Sequence, residues 1–173
     1  MNLTGQAPEL MAHYAAYHRD RRNIATHLLG IPMIFTAIAM ALVFPLGHWG
    51  DHGITGAWLM WALTSFWYLT RGDALLGVAT AVVNGACVAL AHVLVGQASA
   101  WGWSGWSLAL GLFVLGWAFQ FVGHGLEGRK PAFMDDLVGL LVGPMFVVAE
   151  WLMALGLLKA LRQSVEAEVG PTR

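Results

Sequence analysis

Five apolar stretches, separated by short polar connections, constrain this chain more than any other feature. They run from about Ile24 to Leu46, Ile54 to Leu69, Ala74 to Val95, Trp106 to Val122 and Leu137 to Leu158. A helix needs about 20 apolar residues to cross the hydrocarbon core of a bilayer. The first, third and fifth stretches meet that length, whereas the second and fourth are short. Tryptophans flank the short ones: Trp58, Trp61 and Trp67 at the second, Trp101, Trp103, Trp106 and Trp117 at the fourth. Trp favours the membrane–water interface, so these read as belts. Only 11% of the residues are charged, against about 25% in soluble domains. That is too few to cover a water-facing surface. The expected fold is one all-α domain over residues 1–173, an integral membrane helical bundle of four to five spans with a polar tail at about 162–173. Pro144 interrupts the last stretch, which points to a broken or re-entrant segment.

The remaining composition excludes several classes. A formal net charge of −1 provides no basic footprint for nucleic acid. No dinucleotide fingerprint or phosphate loop is present. Cys87 stands alone in an apolar run and reads as a small hydrophobe. Met1 to Met11 lacks the basic start and apolar core of a cleavable leader, so the first span is expected to direct insertion. Gly77, Gly85, Gly111 and Gly116 sit inside apolar stretches, where small residues let helices approach closely. Asn84 reads as interhelical glue.

Lys and Arg alternate along the connections. Arg19, Arg21 and Arg22 precede the first span, Arg71 follows the second, and Arg129 and Lys130 follow the fourth. The connections Gly47–Gly53 and Gly96–Gly105 carry neither residue. By the positive-inside rule the N-terminus, the Arg71 turn and the Arg129 loop share the cytoplasmic face. That topology sorts the seven histidines. His48, His52 and His92 fall at the outer side; His13, His18, His27 and His124 fall at the cytoplasmic side.

Two polar clusters lie at that cytoplasmic face. The first is YHRDRRNIATHLLGIP, in which His18 and His27 are nine residues apart. On one straight helix they would point to opposite sides, so they can share a metal only if the chain breaks between them. Asn23 is a good N-cap and is the expected break, with a helix from Ile24 and His27 in its first turn. The positive helix end there favours the neutral ring that a ligand requires. The same residues also read as an interfacial patch whose arginines bind anionic headgroups. The second cluster is FQFVGHGLEGRKPAFMDD. His124 and Glu127 share a helix face if the helix persists, and a histidine beside a carboxylate serves as a ligand pair or as a ligand with its orienting partner. A polar loop capping the fourth span is the alternative. Glu150, deep in the last stretch, is costly in lipid and is expected to face the bundle interior, orienting a histidine or bonding a neighbouring helix.

Taken together, the two clusters resemble a small family of membrane proteins, the fungal 2-hydroxy fatty acid dioxygenase and its bacterial relatives. The matching residues are YH ahead of Asn23 and His27 with GIP behind, then WAFQFVGHG, RKPA with Asp135 and Asp136, and GPMFVVAE. They cover roughly residues 14–34 and 117–150. The resemblance implies an iron(II) dioxygenase of the endoplasmic reticulum in fungi, or of the inner membrane in a bacterium. It implies O2 and a 2-hydroxy fatty acid as substrates, the acid being shortened by one carbon with release of carbon dioxide. It also implies His18, His27 and His124 as metal ligands, with Asn23, Gln120 and Glu150 at the family's polar positions. Glu127 is a candidate catalytic carboxylate, although it follows His124 by only three residues where the family commonly places an aromatic residue between. His13 and His92 have no family counterpart.

The implied chemistry agrees with the residues. Imidazoles and carboxylates suit iron(II) with open positions. A 2-hydroxy acid can chelate through hydroxyl and carboxylate and supplies all four electrons that oxygen requires, so no 2-oxoglutarate or nicotinamide is needed. Arg129 or Lys130 can pair with the substrate carboxylate, and the acyl tail would lie among the spans. Two other readings stay open: a haem-binding electron-transfer bundle with His27 and His124 as axial pair, and a transporter or scaffold without chemistry, with Glu150 and Asn84 lining a path.

Overall fold

The computed structural model describes residues 1–49, 52–131 and 137–173. Its helices are α1 (Ala7–Ala15), α2 (Arg21–Ala41), α3 (Gly56–Leu69), α4 (Ala74–Ala98), α5 (Gly105–Glu127), α6 (Val138–Ala154) and α7 (Lys159–Val169). The expected all-helical bundle is present. Three helices, Arg21–Ala41, Ala74–Trp101 and Gly105–Glu127, are long and apolar enough to cross a bilayer, the second including a 3-10 turn at Ser99–Trp101. A fourth span is possible if α6 and α7 count together, but they meet at 113°. The break that Pro144 led us to expect therefore lies later, between Ala154 and Lys159. Leu63, Phe66, Val82, Leu110 and Val114 stand more than half exposed, a surface suited to lipid.

Two boundaries differ from expectation. The first stretch stops early, with α2 ending at Ala41 rather than near Leu46. Residues Pro45–Trp49 and His52–Thr55 pair as antiparallel strands β1 and β2, and α3 then has only 14 residues, about 21 Å of helix. The first span begins at Arg21, not Ile24. Asp20 is its N-cap, and the Asp20 carboxylate accepts from the Arg22 amide at 2.8 Å. Half-buried at the helix start, Asp20 takes the capping position that Asn23 was expected to hold. Its hydrogen bonds to Arg22 pull its carboxyl down to about 2.

α2 and α5 form the central pair, packed antiparallel through small residues. A Cβ on Gly30 would collide with the Gly116 carbonyl and the Gln120 amide, one on Gly116 with the Gly30 carbonyl, and one on Gly123 with Asn23 and Thr26. Glycines seven apart on α5 thus face Gly30 and Asn23 on α2. Small residues at this spacing are what close helix pairs in lipid require.

The basic connections also meet at one end of the bundle. The Arg71 guanidinium donates to the carbonyls of Leu3 and Gly5 at 2.7 and 3.1 Å, and Ala7 N–H donates to the Arg71 carbonyl at 2.8 Å. Arg129 donates to the Ala16 carbonyl at 2.7 Å. α1 is thereby tied to both connections, and its Tyr14 packs on Phe146 in the middle of α6.

Candidate metal centre

Three histidines converge beneath α1. The chain leaves α1 in a tight turn, with His18 N–H donating to the Ala15 carbonyl at 3.0 Å. The His18 ring folds back onto Tyr14, stacked at 4.3 Å, and is fully buried. Its Nδ1 lies 2.7 Å from the Tyr14 carbonyl. One helix later the device repeats, with His27 Nδ1 2.9 Å from the Asn23 carbonyl. A carbonyl can only accept, so both Nδ1 atoms carry the proton and both Nε2 atoms present lone pairs. These two Nε2 atoms face each other at 3.0 Å. Two bare lone pairs at that distance repel. A cation between them removes the conflict. A proton is a poor candidate, because burial, with His27 acting in the same direction, pushes His18 well below the ordinary imidazole value.

His124, in the last turn of α5, completes the group. Its ring lies 4.9 Å from each of the other two. One nitrogen from each ring falls within 4.8 Å of the others, and all three rings are buried. Imidazole nitrogens sit about 2.1 Å from a bound divalent ion, so the His18 and His27 donors, 3.0 Å apart, fit such an ion. The break between His18 and His27 is real, but it spans residues 16–20, and His27 lies in the second turn of α2 rather than the first.

Residues 5–155 match the family described as 2-hydroxy-palmitic acid dioxygenase Mpo1-like. This chain belongs to that family. Among curated proteins it is similar to the 2-hydroxy-palmitic acid dioxygenase MPO1 of Saccharomyces cerevisiae, 47% identical over 62 residues. That alignment covers 35% of this chain and 36% of the yeast protein, so the match spans about a third of each. No solved structure matches.

The other polar residues of this Mpo1-like chain fall into distinct places. Glu127 lies one turn beyond His124, and its carboxylate points to backbone. Its Oε2 accepts from the amides of Arg19 and Asp20 at 3.0 and 2.8 Å and from Asn23 Nδ2 at 3.1 Å. Its Oε1 is 3.5 Å from the Arg173 guanidinium. Glu127 therefore joins the His18 turn, the start of α2 and the end of α5. Residue 173 bonds the same turn, its N–H to the Arg19 carbonyl at 2.8 Å and its carbonyl to Arg21 N–H at 3.0 Å. Arg19 also donates to the Gly170 carbonyl.

Gln120, one turn before His124, is buried, and its Nε2 has no hydrogen-bond partner among the described residues. It lines a groove of about 190 Å³ between α2, α5 and α6, together with His27, His124 and the Tyr14 ring. Burial raises the Tyr14 phenol, so it stays protonated. Arg129 and Glu150 do not line this groove. Arg129 borders a shallow basin with Arg19 and Arg173, and Glu150 faces a separate cavity of about 310 Å³ with Arg19 and Arg162. Asp135 and Asp136 lie outside the described residues. His13 is exposed, and His92 is bonded at the opposite end to Thr55 and the Val88 carbonyl. Tyr14 was missed by sequence reasoning. The signal for it was the four-residue spacing to His18, which Asn23 and His27 repeat.

Proposed function

We propose that this protein is an iron(II)-dependent dioxygenase that converts a 2-hydroxy fatty acid and O2 into the fatty acid one carbon shorter, carbon dioxide and water, at the cytoplasmic face of a membrane. The observation that carries this reading is the pair of Nε2 lone pairs facing at 3.0 Å, with His124 beside them and a groove leading away into the spans. Three neutral imidazoles suit iron, zinc, copper or nickel. Iron is preferred because the similar yeast protein is named as a dioxygenase. Held by His18, His27 and His124, iron(II) supplies the one-electron chemistry that lets oxygen react with an organic acid.

The chain's own residues do the rest. The Tyr14 and Asn23 carbonyls hold each Nδ1–H, so both Nε2 lone pairs point to the metal position. Gln120 Nε2 is an unused donor at the head of the groove, placed to bind the hydroxy acid's oxygens. This role replaces Arg129, whose guanidinium is engaged at Ala16. Glu127 positions the ligands through backbone amides. The apolar walls take the tail and keep water from the head. The balance closes without a co-reductant: the four electrons that O2 accepts come from oxidation of the hydroxyl-bearing carbon to a carboxyl and loss of the old carboxyl as carbon dioxide.

A haem reading fits the geometry poorly. Axial histidines stand on opposite sides of a porphyrin, and the His27 and His124 ring centroids, 4.9 Å apart, leave no room for the ring between them. Product analysis tests the proposal. With iron(II) and O2, purified protein should shorten a 2-hydroxy acid without 2-oxoglutarate and leave the matched unsubstituted acid intact. Equal turnover of both acids, or none with iron shown to be bound, would refute it.

A further inference from the structure

The groove has a direction and a length. α2 lines it with His27, Ile31, Ile34 and Ile38, stepping four, three and four residues. α5 lines it with Phe113, Trp117, Gln120 and His124, in the same steps. Because the helices are antiparallel, the polar ends coincide at the histidines and the apolar ends coincide at Ile38 and Phe113. Eleven residues separate His27 from Ile38, and eleven separate Phe113 from His124. Both stripes are therefore about 16 Å long. Half of the roughly 30 Å hydrocarbon core is about 15 Å, the depth that one leaflet's acyl chains fill. The groove also has an open side, since Ile38 and Leu140 on its margin are exposed.

We propose that this groove gauges the acyl chain, with Ile38 and Phe113 setting the longest tail that fits while the head reaches the histidines. The inference rests on the proposed function and adds to it the residues that limit tail length, for a tail taken sideways from the lipid. Selection here is by fit. Lipid is as apolar as the groove, so the tail gains little by transfer. The walls do not yield, because α2 and α5 touch backbone to backbone at Gly30 and Gly116. A tail that is too long must either leave past Ile38 and Phe113 or lift its head from Gln120.

The test uses the full chain in detergent or nanodiscs with a homologous series of 2-hydroxy acids. Chain-length optima are read both by turnover and by ligand-induced thermal shift. Phe113→Ala removes the ring at the far end of the groove and should move both optima to longer acids. Ile38→Trp should move them shorter. Both positions border lipid, and Phe113→Leu and Ile38→Phe provide milder versions should either variant fail to fold. Unchanged optima in variants that still turn over, or shifts of the same sign in both, would overturn the gauge and leave the proposed function standing. Failure of the unmodified protein to bind or convert any acid in the series would overturn the reading beneath it.

Discussion

Histidines at the two ends of the bundle share one local device and differ in what completes it. His18, His27 and His92 each direct Nδ1 to the carbonyl four residues earlier, at 2.7, 2.9 and 2.9 Å. At the hairpin end, His92 Nε2 is 3.0 Å from the Thr55 hydroxyl and its ring stacks on Trp58. That bond satisfies the ring and ends its chemistry. At the basic end, His18 and His27 meet each other and His124 instead of a hydroxyl. A locked tautomer is thus common to histidines at both ends. What separates them is whether the second nitrogen finds a donor or another base.

The largest effect expected from this contrast is on the metal itself. Alanine at His18, His27 or His124 should each remove bound iron and abolish turnover, while His92→Ala, His48→Ala and His52→Ala keep both, as read by metal analysis of purified protein. Iron loss in His92→Ala would erase the distinction between the two ends. Next is Glu127→Ala, which leaves all three rings in place but frees the His18 turn. Loss of an orienting group typically weakens metal binding by roughly 10–100-fold, and iron affinity should fall accordingly, with Glu127→Gln recovering part of it. Unchanged affinity would show that the turn holds without its carboxylate.

Gly30→Ala tests the packing behind the site. Its methyl would meet the Gly116 carbonyl and the Gln120 amide, and overpacking costs about 1–3 kcal/mol. The variant should melt lower and turn over slower, whereas Gly111→Ala, with nothing near its Cβ, should match the parent in both. The smallest effect belongs to Thr55→Val, which strips His92 of its partner. It should cost about 1 kcal/mol and create no iron site, because a lone locked imidazole has no second donor. Extra bound metal in that variant would sink the explanation.

Much of this was legible in the chain, for reasons that differ by residue. The apolar stretches follow from composition, because lipid removes the need for a polar face. The grouping of His18, His27 and His124 follows from Arg and Lys in the connections, because insertion sorts charge by side. Asn23 was misread as a cap because capping propensity does not rank two candidates three residues apart, and Asp20 holds the start of α2. Glu127 was legible as sharing a face with His124, but the partners of its Oε2 lie more than a hundred residues away, and local spacing carries no information about them. Glu150 does face inward, yet toward Arg19 and Arg162 in a second cavity, a choice made by the packing of α1, α2 and α7. The β-hairpin was invisible, since Pro45–Thr55 lacks the alternating pattern that marks a strand.

The interlock of α2 and α5 at Gly30, Gly116 and Gly123 also bears on when the three histidines can meet. His27 and His124 are 97 residues apart. At roughly 5–20 residues per second, a ribosome needs about 5–20 s to supply the third histidine after the second. Throughout that interval the inserted N-terminal span carries two imidazoles with no Gln120, no Glu127 and no closed groove. A reactive metal held there would face oxygen without a substrate to consume it. The glycine seam makes completion of the three-histidine group the same event as docking of α5, a helix–helix contact.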